Sequence, residues 1–100
     1  MYRFYNNTGN RAQQMEGGLD NFDTVQKART DLIGEIQAII EYDNHMHSTN
    51  DRLARETWKN IMHEEMVHVG ELLALLNYLD PSQRQFVQEG IDEFAQRKGN

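Results

Sequence analysis

From Trp58 to Leu79 the apolar residues Trp58, Ile61, Leu72, Leu75 and Leu79 recur in a progression of three- and four-residue steps. That is the spacing of one helix face, and it predicts a helix from about Asp51 to Leu79. Two members of the same progression are polar: Glu65 and His68, between Ile61 and Leu72, one turn apart in Glu65-Met66-Val67-His68. On a face meant for a core they need a partner, because even neutral polar groups lose roughly 2–7 kcal/mol when buried unpaired. A metal ion is the obvious partner for a carboxylate and an imidazole.

The earlier half of the chain predicts a second long helix, from about Asn21 to Thr49, with Asp20 or Asn21 as its cap. Its inner stripe reads Val25, Ala28, Leu32, Ile36, Ile39 and Met46, and Glu35 and Tyr42 fall beside it. A helix of about 28 residues is roughly 42 Å long, a length typical of bundles and coiled coils. Ser48-Thr49-Asn50-Asp51 is a short polar turn, which makes the two helices an antiparallel hairpin. Asp80-Pro81-Ser82-Gln83 ends the second helix and starts a shorter third one, to about Arg97. Asp80 serves as its cap, Pro81 takes the first helical position and Gln83 reaches back. Val87, Ile91 and Phe94 form its apolar face, with Phe86 and Gly90 nearby. Residues 1–20 show no sustained periodicity and read as a flexible arm whose Tyr2, Phe4 and Tyr5 pack on a neighbouring surface.

The expected fold is all-α: an antiparallel two-helix hairpin with a short C-terminal helix, spanning residues 21–97 after the arm. No strand pattern, long repeat or second domain is visible. A two-helix hairpin cannot cover its own apolar stripe, so two of them facing each other should complete a four-helix bundle. One hundred residues also bury a modest fraction of their surface alone, which favours association.

The net charge of −6, from 16 acidic and 10 basic residues, argues against nucleic-acid binding and suits attraction of cations. No apolar run is long enough to span a membrane, and no secretory signal opens the chain, so a cytoplasmic protein is expected. With no cysteine, thiolate sites and disulfides are excluded.

Ligand arithmetic sharpens the metal reading. Di-iron carboxylate bundles use one Glu from each of two helices and a Glu-x-x-His from each of the other two. Here Glu35 and Glu65 lie equally far from Asn50 in the turn, so an antiparallel hairpin brings them to one level. Glu35, Glu65 and His68 make half a site, and a two-fold dimer would double it. Oxygen ligands with imidazole suit Fe(II), Mn(II) or Zn(II).

The run Glu35-Ile36-Gln37-Ala38-Ile39-Ile40-Glu41-Tyr42-Asp43, followed by His63-Glu64-Glu65-Met66-Val67-His68 and Leu72, resembles the encapsulated ferritins. These are half-length members of the ferritin-like superfamily, related to rubrerythrins. The resemblance covers roughly Leu32 to Leu79. It implies that Glu35, Glu65 and His68 are ferroxidase ligands and that Tyr42 lies beside the centre. It also implies dimers assembled into a ring, with the di-iron centre at a subunit interface. The family oxidises Fe(II) to Fe(III) and passes iron to an encapsulin shell, so a place inside an encapsulin nanocompartment is implied. Three features depart from the family. Glu41 stands where members often carry Trp, and Gly34 and Gln37 replace flanking acidic residues that help guide iron in. The apolar shell-targeting tail is not visible in Gln96-Arg97-Lys98-Gly99-Asn100.

Other polar positions are weaker candidates. Glu41 and His45 form an i, i+4 pair that could hold an auxiliary metal, against the simpler reading of an exposed helix end. His63, Glu64 and Glu71 are expected to face solvent or a neighbouring dimer, and Met46, Met62 and Met66 to fill core or interface. The alternative to a ferroxidase is a non-catalytic helical assembly module, in which the acidic pair sets register or holds structural zinc or calcium. Peroxide reduction of the rubrerythrin kind lacks the cysteine-ligated iron that would feed it electrons.

Overall fold

Why each helix starts and stops is visible in its end groups. A computed structural model describes residues 18–99, with side chains from residue 21 onward. It contains three helices: α1, Gly18–His47; α2, Arg52–Leu79; and α3, Pro81–Gly99. The arm with Tyr2, Phe4 and Tyr5 lies outside the described residues.

At the turn, Asp51 caps α2 by accepting from the Ala54 N–H at 2.8 Å. Thr49 Oγ1 accepts from the Asp51 N–H at 3.1 Å, and Arg55 donates to the Thr49 carbonyl at 3.0 Å. These bonds satisfy groups that a helix end leaves open. The His45 and His47 side chains sit in the last turn of α1, where positive charge is favoured by the helix dipole.

Two expected end groups do other work. Helix α1 begins at Gly18, so Asn21 lies inside it and is no cap. Its side-chain amide donates to the Leu79 carbonyl at 3.0 Å and closes the far end of the hairpin. Asp80 does cap α3, accepting from the Gln83 N–H at 3.2 Å and from Ser82 Oγ at 2.8 Å. Gln83 does not reach back to the cap. Its carbonyl oxygen accepts from Arg29 on α1 instead, from Nη2 at 2.7 Å and Nε at 3.1 Å. A guanidinium offers more donors than the single backbone N–H of Asp80, which already donates to the Leu76 carbonyl at 2.9 Å.

The hairpin core is small. Among the described residues, Val25, Ala28, Met62 and Leu76 are the buried hydrophobics, and Leu32 and Leu79 pack against the cluster of Val25, Ala28 and Leu76. The α1 stripe holds at Val25 and Ala28, but Ile36 is 46% exposed. On α2 the buried line runs through Met62 and Leu76, one position round from the expected Ile61 and Leu75, and Leu75 is exposed. Met62 fills the core as expected, whereas Met66 is exposed. No residue of α3 is buried.

Candidate metal centre

Glu35 comes from the middle of α1 and Glu65 and His68 from the middle of α2, and the antiparallel hairpin brings all three to one level. One ligand atom from each lies within 4.8 Å of the others. His68 Nδ1 is 3.0 Å from Glu65 Oε1, one turn away, and 3.3 Å from Glu35 Oε1 across the helix pair. Among the described residues this is the one group of three or more His, Asp or Glu side chains close enough to hold a metal ion.

The electrostatics are those of a site that attracts cations. Glu35 is pushed above the usual carboxylate range, first by its hydrogen bond with Glu65, then by burial and by the Glu65 charge. Glu65 is held below that range, first by the hydrogen bond it accepts from Glu35 and then by His68. Both carboxylates raise His68, Glu65 more than Glu35. Two carboxylates this close disfavour each other's charge, and a cation between them relieves that repulsion. The same three side chains that shift one another's titration are the ones a metal ion would bridge.

The trio is not buried in a core. His68 is 49% exposed at its side chain, Glu35 26% and Glu65 19%. They line an open groove of about 490 Å³ together with Asp31, Gly34, Ala38, Glu71, Leu72 and Leu75. Met62 and Leu76 take the contact with α1, and Glu65, His68, Leu72 and Leu75 lie beside it on the face that a single hairpin leaves uncovered. Gly34 and Ala38 leave space beside Glu35, and Leu72 and Leu75 supply an apolar wall.

Asp31, one turn before Glu35, was missed by reading α1 for its apolar stripe; its i, i+4 spacing from Glu35 is the signal that would have found it. Glu71 is exposed as expected, but it rims the groove rather than facing away from it. Tyr42 is half-buried and is not part of the groove lining. Its ring meets His45 edge-on at 6.3 Å, and His45 in turn lies 5.0 Å from the Trp58 ring. Glu41 and His45 are both exposed, and among the described residues no third His, Asp or Glu joins them within reach of one ion.

The fold and site define a class: an α-helical hairpin that presents a carboxylate from one helix and a Glu-x-x-His from the other. No protein-family model matches the chain. A search of curated proteins finds 34% identity over 71 residues with a ferritin-like–encapsulin shell fusion protein of Pyrococcus furiosus; the match covers 71% of this chain and 21% of the fusion. The chain thus spans about a fifth of the length of that relative. Among solved structures, the crystal structure of an encapsulated ferritin domain from Pyrococcus furiosus superposes with a TM-score of 0.76 at 30% identity, over 80% of this chain and 82% of that one. The chain belongs to the encapsulated ferritin family.

Proposed function

We propose that this protein is a ferroxidase, oxidising Fe(II) to Fe(III) at a di-iron centre that two copies of the chain complete together. The observation that carries this reading is the convergence of Glu35, Glu65 and His68 on one point of an open groove. One chain supplies two carboxylates and one imidazole, half of what a di-iron carboxylate site uses. A two-fold partner across the groove doubles the set and covers the exposed Leu75.

The chain's own groups do the positioning. Glu65 and His68 are held in register by the turn of α2 between them, and Glu35 closes the site from α1. Fe(II) and protons compete for Glu35, Glu65 and His68, because a metal ligand must be deprotonated, so metal binding favours the ionised carboxylates and the neutral imidazole. Two Fe(II) ions each give one electron to dioxygen. With two protons this yields hydrogen peroxide and leaves two Fe(III). Tyr42, two turns from Glu35, is a candidate hydrogen-bonding or electron-donating group once the interface is formed. Zinc, manganese or calcium can occupy the same oxygen and nitrogen donors without the redox step.

The similarity to an encapsulin shell fusion supports a wider role in iron storage or detoxification, as cargo of an encapsulin nanocompartment in the cytoplasm. Family membership supports a ring of dimers as the working form. No helix among the described residues is long and apolar enough to cross a membrane.

The test is aerobic addition of Fe(II) with the ferric absorbance followed in time. Wild type should oxidise iron well above the buffer rate, and Glu65→Ala and His68→Ala should not. If all three match buffer, the ferroxidase reading fails. If wild type oxidises no iron but still binds zinc and associates, the chain is a helical assembly module.

A further inference from the structure

Toward the hairpin turn the two long helices carry a row of three rings. Tyr42 meets His45 edge-on at 6.3 Å, and His45 meets Trp58 at 5.0 Å. Tyr42 and Trp58 lie equally far from Asn50, so the antiparallel pair sets them at one level and the row passes from α1 to α2. It begins on the groove side of α1. Glu35, Ala38 and Tyr42 follow one another at three- and four-residue steps and share that face. From Glu35 to Tyr42 is about 10 Å of helix. The residue between them there is Ala38, which lines the metal groove and carries a single methyl group. Tyr42 and Trp58 are half-buried and His45 is exposed, so the row leads from the groove side to the protein surface.

Tyrosine and tryptophan are also the aromatic side chains that give up single electrons most readily. Oxidisable sulfur surrounds the same region. Met62 is buried one turn before Glu65, Met66 adjoins Glu65, and Met46 is half-buried one turn beyond Tyr42. A single electron from Fe(II) splits hydrogen peroxide into hydroxide and hydroxyl radical, and such oxidants convert thioethers to sulfoxides, which disrupts cores.

We propose that Tyr42, His45 and Trp58 form an electron route between the metal groove and the surface at the hairpin turn, through which peroxide is reduced fully to water. The inference rests on the ferroxidase reading, which supplies both the peroxide and the Fe(II). In the first step Fe(II) in the groove gives one electron and the Tyr42 hydroxyl gives a hydrogen atom. The O–O bond breaks, leaving Fe(III), hydroxide, water and the Tyr42 phenoxyl radical, and no hydroxyl radical escapes. Trp58 then returns an electron to Tyr42 across His45. Tyr42 regains a proton from water, and the Trp58 indole loses one to it. A second Fe(II), at the surface, reduces the Trp58 radical, which takes up a proton. In sum, one peroxide, two Fe(II) and two protons give two waters and two Fe(III).

The first test needs no iron. Azide radicals made by pulse radiolysis oxidise tryptophan selectively, and Trp58 is the one tryptophan of the chain. In the iron-free full chain the indolyl signal should decay as a phenoxyl signal rises, at a rate independent of protein concentration. Tyr42→Phe should abolish that exchange, and Tyr78→Phe, at the far end of α2, should leave it unchanged. His45→Ala should slow it severalfold and His45→Phe should restore it, because an aromatic ring bridges the gap in either case. The second test adds Fe(II) in air. Trp58→Phe should release more peroxide per Fe(II) than wild type and gather more sulfoxide at Met46 and Met62, read by mass spectrometry, with helix content unchanged. An indolyl decay as fast in Tyr42→Phe as in wild type overturns the proposal, as do equal peroxide and sulfoxide yields from Trp58→Phe and a wild type that oxidises iron. Wild type that oxidises no iron while the iron-free exchange stays intact sinks the ferroxidase reading, and the peroxide role with it.

Discussion

His68 Nδ1 lies 3.3 Å from Glu35 Oε1, a contact between residues 33 positions apart in sequence and on different helices. With Glu65 only 3.0 Å from the same nitrogen, the imidazole is held between two carboxylates. Protonation, metal binding and the stability of the hairpin are therefore linked through one cluster.

The pH dependence of the metal-free chain follows from the directions of the shifts. His68 is raised, so its stabilising contribution is complete below about 6.5, its ordinary value, and is lost as pH climbs through the higher folded value. Glu35 is raised too, so its contribution is complete below its ordinary 4.5 and is lost as pH climbs through its own folded value. Glu65 is lowered, so its contribution is complete above 4.5 and fades as pH falls through the folded value. In chelator, the urea midpoint should therefore fall between about pH 6 and pH 8. His68→Ala should flatten that slope. A wild-type midpoint that rises across the window contradicts the linkage.

Metal should reverse the sign. A cation replaces the bound protons, so zinc or Fe(II) affinity should rise with pH over the same window. Glu35→Ala, Glu65→Ala and His68→Ala should each weaken binding by at least about tenfold, as loss of even supporting groups around a metal does. Anaerobic calorimetry in two buffers of different ionisation heat reads both the affinity and the protons released. Proton release that vanishes in His68→Ala alone would assign the imidazole as the main donor.

Leu76 and Leu75 are adjacent in sequence and should behave oppositely. Leu76 is 2% exposed in the small core, so Leu76→Ala should cost about 2–5 kcal/mol and threaten folding. Leu75 is 41% exposed on the groove wall, so Leu75→Ala should leave chelator-treated stability nearly unchanged. In metal-loaded protein Leu75→Ala should instead lower the association constant. Chemical denaturation and sedimentation, run side by side, separate the two.

Asp51 caps α2 at the hairpin turn through the Ala54 N–H. Asp51→Ala should cost about 1 kcal/mol, and Asp51→Asn a few tenths, because Asn can cap as well. Equal losses from both would mean that the charge, not the hydrogen bond, matters at this helix end.

Much of the fold was legible. Three- and four-residue steps, a polar turn at Ser48–Asp51 and the Asp80-Pro81 stop define three helices to within a few residues. Glu35, Glu65 and His68 were legible as a set because equal distance from a turn is a geometric fact of antiparallel hairpins. Asn21 and Gln83 were misread as capping groups, because local motifs do not show the long-range partners, Leu79 and Arg29, that compete for them. Glu65 and His68 line an open groove of the single chain, with Leu72 and Leu75 of the same stripe, because one hairpin has no second hairpin to cover that face.

The sequence by itself determined the helices, their order and the identity of the three candidate ligands, since those follow from periodicity, capping chemistry and distance from a turn. Only the tertiary structure decided the rotation of α2 about its axis, which puts Met62 and Leu76 inside and turns Glu65 and His68 toward an open groove. It also decided the direction of α3, which rests on the Arg29 bonds to Asp80 and Gln83. Those choices depend on packing between residues far apart in the chain, and an apolar stripe several residues wide permits more than one.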